Sequence, residues 1–86
     1  MSLTFQKPKD EQRPQLTPRE REVLLTWLEN PSKAATAEIL GVAEDTVRSH
    51  ISHIRHKYAA LDRPARSKAE LLIRAIEDGI IKAQAE

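Results

Sequence analysis

Apolar residues recur along this chain at steps of three and four, which is the period of a helix with one buried face. The pattern is strongest in "EDTVRSHISHIRHKY", residues 44–58, and in "LTPREREVLLTWLE", residues 16–29. Neither an alternating apolar run nor an Asn-Gly hairpin signal indicates a strand. We therefore predict an all-α domain of four helices, with these apolar positions of the first and third helices in its core: Val23, Leu24, Trp27, Leu28, Val47, Ile51, Ile54 and Tyr58.

Polar residues and glycines predict where the first two helices begin and end. Thr17 is placed to cap the first helix, and Glu20 three residues later completes a capping box. Ser32 is placed to cap a short second helix, "KAATAEIL", which Gly41 ends. The third helix follows after a tight turn and is expected to run to about Tyr58.

The fourth helix is predicted over "KAELLIRAIED", with Ser67 and Glu70 as a second capping box. Gly79 is placed for a left-handed C-terminal cap, and Ile80 is expected to fold back onto the last turn.

Two apolar faces compete on this fourth helix. The wider one is expected to fill the core: Ala69, Leu72, Ile73 and Ile76. Leu71 and Ala75 fall outside it, and a small residue one turn after a leucine lets two helices approach closely. We therefore predict that Leu71 and Ala75 pair with a second copy of the chain, although Leu71 could instead be tucked under the loop before the helix.

The second and third helices have the spacing of a helix-turn-helix. Ala37 is small enough for two helix backbones to touch, Gly41 tolerates the positive φ of a tight turn, and Val47 wedges the third helix onto the second. The same spacing also fits an ordinary helical hairpin.

Composition narrows the choice of partner. The 86 residues include no cysteine, only 3% are aromatic, and the net charge is +1. However, residues 45–68 contain six Lys or Arg against two Asp, whereas the flanking regions are mildly acidic. This concentration of positive charge favours an anionic partner such as nucleic acid.

The ends of the chain differ from its centre. Residues 1–15 are polar and aperiodic, and we predict a linker or tail there, a domain over 16–82 and a short tail over 83–86. No apolar run is long enough to span a membrane, and the start lacks the apolar segment of a secretory signal. A cytoplasmic protein is expected.

"LTPREREVL", "TVRSH" and "DGII", together with the helix-turn-helix spacing, resemble the LuxR/NarL-type DNA-binding domain of bacterial transcription regulators. The resemblance covers residues 16–81. It implies double-stranded DNA as the partner and a fourth helix that forms a homodimer contact. It also implies an upstream receiver or sensor domain, so that this chain would be the output domain of a response regulator.

The resemblance also implies roles for residues of the third helix, which enters the major groove in that family. The family's base-contacting positions fall on Arg48, Ser49 and Ser52, and phosphate contacts are expected from Thr46 and Lys57. The helical period places further polar residues on or beside the same outward face, and we include them in the predicted DNA-binding set: His53, Arg55 and His56.

The chain departs from that family at four places. Ala43 stands where a capping Ser or Thr is usual, Thr36 where a bulky aliphatic residue is usual, and Ile39 where a charged residue is often found. The loop "AALDRPARSK" is a few residues longer than is common. The dimer geometry of the family is therefore not carried over directly.

Other functions find less support in the sequence. The three histidines at 50, 53 and 56 sweep around the helix, which disfavours a metal site, and His50 is expected to be packed and hydrogen-bonded. Ser49 and His53 lack a third group that would orient the histidine, so we predict no enzyme and no cofactor. Two alternatives stay open: a sigma-factor region-4-like promoter domain, and a small helical module that binds protein.

Overall fold

The computed structural model of the chain describes residues 13–81, which form four helices and no strand. This confirms the predicted all-α class. The first 12 residues of the predicted 1–15 tail, and the predicted 83–86 tail, lie outside the described residues. The helices are α1 (Pro18–Leu28), α2 (Lys33–Leu40), α3 (Glu44–Ala60) and α4 (Lys68–Glu77).

The start of α1 is held by the predicted capping box. The backbone N–H of Glu20 donates to Thr17 Oγ1 at 3.0 Å, and the backbone N–H of Thr17 donates to Glu20 Oε1 at 3.0 Å. Val23 and Leu24 are fully buried and Trp27 is nearly so. These bonds satisfy N–H groups that the first turn leaves unpaired, and they aim the apolar stripe of α1 at the core.

The helix-turn-helix forms as the spacing predicts. Gly41 adopts a left-handed conformation with φ of 70°, which lets α2 end and the chain reverse. Ala37 and Val47 are buried where α2 and α3 meet. Thr36 is also fully buried, and its hydroxyl donates to the carbonyl oxygen of Ser32 at 2.9 Å. The hydrogen bond removes the cost of burying this polar side chain at an otherwise apolar contact.

The third helix supplies the centre of the core. Val47, Ile51, Ile54 and Tyr58 are all between 0% and 1% exposed and join Val23, Leu24, Trp27 and Ala37 in one cluster. The N-cap of α3 is Ala43, which makes no side-chain capping bond, as the sequence indicates. α3 is therefore held mainly by packing against α1 and α2 rather than by its own N-terminus.

The predicted orientation of α4 is wrong. Leu71 and Ala75, assigned from the sequence to a dimer surface, are both 0% exposed, and Leu71 belongs to the core cluster. The wider stripe that was expected in the core lies on the surface instead, with Leu72, Ile73 and Ile76 between 39% and 51% exposed. Leu71 and Ala75 are thus unavailable to a second copy.

Polar groups at both ends of the inner stripe explain this orientation. Lys68 and Asp78 lie on the same side of the helix as Leu71 and Ala75. Lys68 Nζ donates to the carbonyl oxygen of Asn30, and Asp78 accepts a hydrogen bond from a tyrosine of α3. Lys68 also lies 5.1 Å from the ring centroid of Trp27. These polar contacts set the rotation of α4 about its axis. The number of apolar residues on each face does not.

The caps at the two ends of α4 agree only in part with those predicted from the sequence. The backbone N–H of Glu70 donates to Ser67 Oγ at 3.1 Å, but the Glu70 carboxylate accepts from the N–H of Arg66, not from that of Ser67. The second capping box is therefore incomplete. Gly79 has φ of 74°, and the N–H of Ile80 donates to the last turn at 2.9 Å, as predicted.

The burial of Leu71 predicts unequal effects of two leucine substitutions in α4. We expect Leu71→Ala to lower the free energy of unfolding by about 2–5 kcal/mol, because it empties a fully buried site. Leu72→Ala, one residue away on the exposed stripe, should lower it by less than about 1 kcal/mol. Urea denaturation followed by circular dichroism measures both, and equal losses would show that α4 presents a different face to the core.

Candidate nucleic-acid interface

The face of α3 opposite its buried stripe is a continuous exposed polar surface. Ser49 and Ser52 lie near its middle and Asp45 near its start, and all three are exposed. Thr46, His53 and His56 are exposed as well. Hydroxyl, imidazole and carboxylate groups on one helix face supply the short donors and acceptors that contact with base edges requires.

Arg48 lies on the flank of this surface and is held by two carboxylates of its own helix. Its Nη1 donates to Asp45 Oδ1 at 2.7 Å, and its Nη2 donates to Glu44 Oε2 at 3.0 Å. All three side chains are exposed, and that of Asp45 is 90% exposed. Exposed pairs of this kind stabilise little, so a stronger anionic or acceptor partner can replace either carboxylate.

A shallow depression of about 380 Å³ is lined by Asp45, Arg48, Ser49 and Ser52. The structure therefore brings together, at the N-terminal half of α3, the three residues to which base contacts were assigned. Asp45 joins them as an additional acceptor.

The side chain of Lys57 turns away from this surface toward α1. Its Nζ lies 2.6 Å from Glu20 Oε1 and donates to the carbonyl oxygen of Gln15 at 2.7 Å. The Glu20 side chain is only 7% exposed. Lys57 was predicted to contact phosphate; in this structure its Nζ is bound by these two acceptors. It ties the C-terminal half of α3 to the capped start of α1.

This contact also sets the pKa of Glu20. Burial by itself raises the pKa of this carboxyl group, but the hydrogen bonds from Lys57 and from the Thr17 backbone outweigh it. The resulting pKa is lowered from its ordinary value. The stabilisation is therefore fully present above the ordinary carboxyl pKa, and it is lost as the pH falls through the lowered value.

A second group of charged residues, which the sequence analysis missed, holds the end of α3 to the end of α4. The Tyr58 hydroxyl donates to Asp78 Oδ2 at 2.8 Å, and Arg63 Nη2 lies 2.8 Å from Asp78 Oδ1 and 2.9 Å from Glu77 Oε1. Burial, together with the hydrogen bond to Asp78, raises the pKa of Tyr58. No local sequence pattern predicts this group, because its members come from three separate segments.

The three histidines of α3 do not converge. His50 is half-buried, as expected, and its Nδ1 has no hydrogen-bond partner within residues 13–81. His53 and His56 face outward. Within residues 13–81, no group of three or more His, Cys, Asp or Glu side chains is placed to hold a metal ion. In the same range, no helix is long and apolar enough to cross a membrane.

Comparison with known proteins identifies one family. The model of the family described as "Bacterial regulatory proteins, luxR family" matches residues 14–71, which is more than half of the chain. The matched range runs from the segment before α1 through the helix-turn-helix to Leu71 in α4. No curated protein and no solved structure matches the chain significantly.

The contact between Lys57 and Glu20 predicts a specific loss of stability. We expect Lys57→Met to lower the free energy of unfolding by about 1–3 kcal/mol, because it leaves a nearly buried carboxylate without its cation. It should also change the acid dependence. With the cation gone, a main cause of the lowered Glu20 pKa is lost, so stability should fall less steeply as that group is protonated. Urea denaturation at several pH values between neutral and acidic measures both effects.

The matched control is the double variant Glu20→Gln/Lys57→Met. A glutamine at this position keeps the capping-box bond to Thr17 while it removes the buried charge. The double variant should therefore recover most of the lost stability, and a double variant as unstable as Lys57→Met would mean that the lysine acts through packing alone.

Proposed function

The chain belongs to the luxR family of bacterial regulatory proteins, a family of DNA-binding transcription regulators, and we propose that it binds duplex DNA by laying α3 in the major groove. The observation that carries the proposal is the division of α3 into two faces. Its apolar face is fully buried against α1 and α2, and its polar face is exposed over its whole length. A helix fixed in this way presents a rigid surface of the size that the groove admits.

Within this surface, Arg48 is the residue best suited to sequence recognition. A guanidinium group can donate two parallel hydrogen bonds to O6 and N7 of guanine. Both terminal nitrogens of Arg48 already donate to acceptors, Asp45 and Glu44, so binding exchanges one pair of acceptors for another. Asp45 and Glu44 would then lie near DNA phosphates and be repelled by them. Only a base contact strong enough to offset this repulsion would be favoured. Ser49 and Ser52 supply hydroxyls beside Arg48 for shorter or water-mediated contacts.

We propose that the domain is the output domain of a cytoplasmic two-component response regulator, with a receiver or sensor domain preceding residue 13 in the complete protein. The contact from Lys57 to the carbonyl oxygen of Gln15 supports this, because it attaches the segment before α1 directly to α3. Movement of that segment would then be transmitted to α3, the helix proposed to bind DNA.

We further propose that two copies associate through the exposed stripe of α4, not through Leu71 and Ala75. Leu72, Ile73 and Ile76 form this stripe, on one side of a helix whose other side is buried in its own domain. One helix face used twice satisfies the symmetry of a dimer. A contact of this size is small, so the association should be weak in solution and stronger on DNA with two half-sites.

The DNA-binding proposal predicts a sequence-dependent effect of Arg48→Ala. Sites selected from a random duplex pool define the preferred sequence, and binding is then measured on it and on single-base variants. On the preferred site, we expect Arg48→Ala to lose about 1–3 kcal/mol and to relax specificity at one base pair. Arg19→Ala, which removes one positive charge from α1, serves as the charge-matched control and should affect all sequences alike.

Two results would contradict this assignment at different levels. A uniform loss on every sequence with Arg48→Ala would make Arg48 a phosphate contact. If the chain bound no duplex even at low salt, the DNA-binding proposal would be wrong for this chain, and a helical module that binds protein would be the better account.

The dimer proposal predicts a loss of cooperativity. On a duplex that carries two copies of the selected half-site, Ile73→Glu should abolish cooperative binding, because it places a charge in an apolar contact. Affinity for a single half-site should stay within about twofold of wild type, and the free energy of unfolding within about 0.5 kcal/mol. Ile39→Glu, at an exposed isoleucine of α2, is the matched control, and equal effects of both variants would exclude α4 as the contact.

A further inference from the structure

A basic pocket of about 300 Å³ lies between the C-terminal half of α3 and the loop that connects it to α4. Its walls are Arg55, His56 and Ala59 from α3, and Pro64, Ala65 and Arg66 from the loop. No acidic side chain lines it. We refer to these six residues as the basic pocket.

Among the described residues, the arginines of the basic pocket have no carboxylate partner, whereas neighbouring cations are neutralised. Arg48, Lys57 and Arg63 each form ion pairs of 3.0 Å or less with carboxylates. Within residues 13–81, the side chains of Arg55 and Arg66 form no ion pair, and the buried Nε of Arg55 has no hydrogen-bond partner. The arginine side chains of α3 and its loop that lack a carboxylate partner therefore lie together in the basic pocket.

The loop that carries Arg66 is held in position by its own contacts. The Nε of Arg74 donates to the carbonyl oxygen of Pro64 at 3.1 Å, and the backbone N–H of Arg66 donates to Glu70 Oε1 at 2.6 Å. Ala65 between them is only 3% exposed. The side chain of Arg66 thus projects from an ordered backbone, so a ligand would pay little entropy to order the loop.

The basic pocket continues the surface proposed to contact DNA. With a rise of about 1.5 Å per residue, His56 lies roughly 10 Å along α3 from Ser49, on the same outward face. When the N-terminal half of a recognition helix contacts base edges, its C-terminal half leads toward the edge of the groove. Since the major groove is about 12 Å wide, we expect the pocket to face the sugar–phosphate backbone at its edge.

We propose that the basic pocket binds one phosphate group of the DNA backbone, with Arg66 of the loop and Arg55 of α3 as its two guanidinium donors. Guanidinium groups match the geometry of phosphate oxygens and can bind them with paired hydrogen bonds. His56 adds a third donor at the rim. The inference rests on the proposed DNA binding, and it adds a contact from outside the helix-turn-helix.

The test uses the 86-residue chain and a mixed-sequence duplex, because contacts to phosphate do not depend on base sequence. Binding is measured over a range of salt concentrations. We expect Arg66→Ala to lower affinity roughly five- to tenfold and to reduce the slope of log K against log salt by about 1. Arg66→Lys, which keeps the charge, should retain most of the slope.

Arg21→Ala is the matched control. Arg21 is an exposed arginine of α1 that forms no ion pair within residues 13–81, and its loss changes the net charge equally. We expect its salt slope to stay close to wild type. In NMR spectra, the Nε–H signals of Arg55 and Arg66 should shift on addition of the duplex, whereas that of Arg21 should not.

The outcomes separate this inference from the proposed function. Steep salt dependence in wild type with an unchanged slope in Arg66→Ala would overturn the pocket inference alone. Equal slope changes in Arg66→Ala and Arg21→Ala would also overturn it, since net charge would then be the cause. If the wild-type chain bound no duplex at low salt, both proposals would fail together.

Discussion

The packing of α3 is the constraint on which the rest of this domain depends. The helix lies at the centre of the core and also presents the surface proposed to bind DNA. Because its period separates the buried stripe from the polar face, a rotation about its axis would bury polar groups and expose Ile51 or Ile54. Burial of these side chains therefore sets the direction in which Ser49 and Ser52 point. The interface is as rigid as the core behind it, although no capping bond secures the start of the helix.

The exposure of each carboxylate distinguishes the roles of the nearby cations. The partners of Arg48 are open to solvent and belong to the same helix, so their pairing is weak and can be exchanged. Glu20, the partner of Lys57, is only 7% exposed, and Asp78, one of the two partners of Arg63, is only 5% exposed. Removal of either cation would leave a carboxylate in an environment that penalises its charge. These two cations hold helices together, and similar side chains a few residues away are the ones proposed to contact DNA.

The two faces of α4 show how few groups decide the orientation of a helix. Its wider apolar stripe is exposed, although burying it would remove more apolar surface from water. The inner stripe is narrower, but it ends in Lys68 and Asp78, which find an acceptor in the turn after α1 and a donor in α3, respectively. Burying the other side would leave those polar groups without their partners. The exposed stripe that results is the feature on which association of two copies is proposed.

Capping rules and helical periodicity predicted most of the features that depend only on residues near one another in the sequence. Capping at Thr17 and Ser32, the left-handed residues Gly41 and Gly79, and the buried face of α3 all depend on neighbours within about one helical turn. The polar surface of α3 follows from the same period, so its residues could be named in advance. The rotation of α4 and the role of Lys57 could not be predicted in this way. They depend on Lys68 meeting Asn30, 38 residues away, and on Lys57 meeting Glu20, 37 residues away. A helical period states which residues share a face, but only the packed neighbours provide the partners that determine which face turns inward.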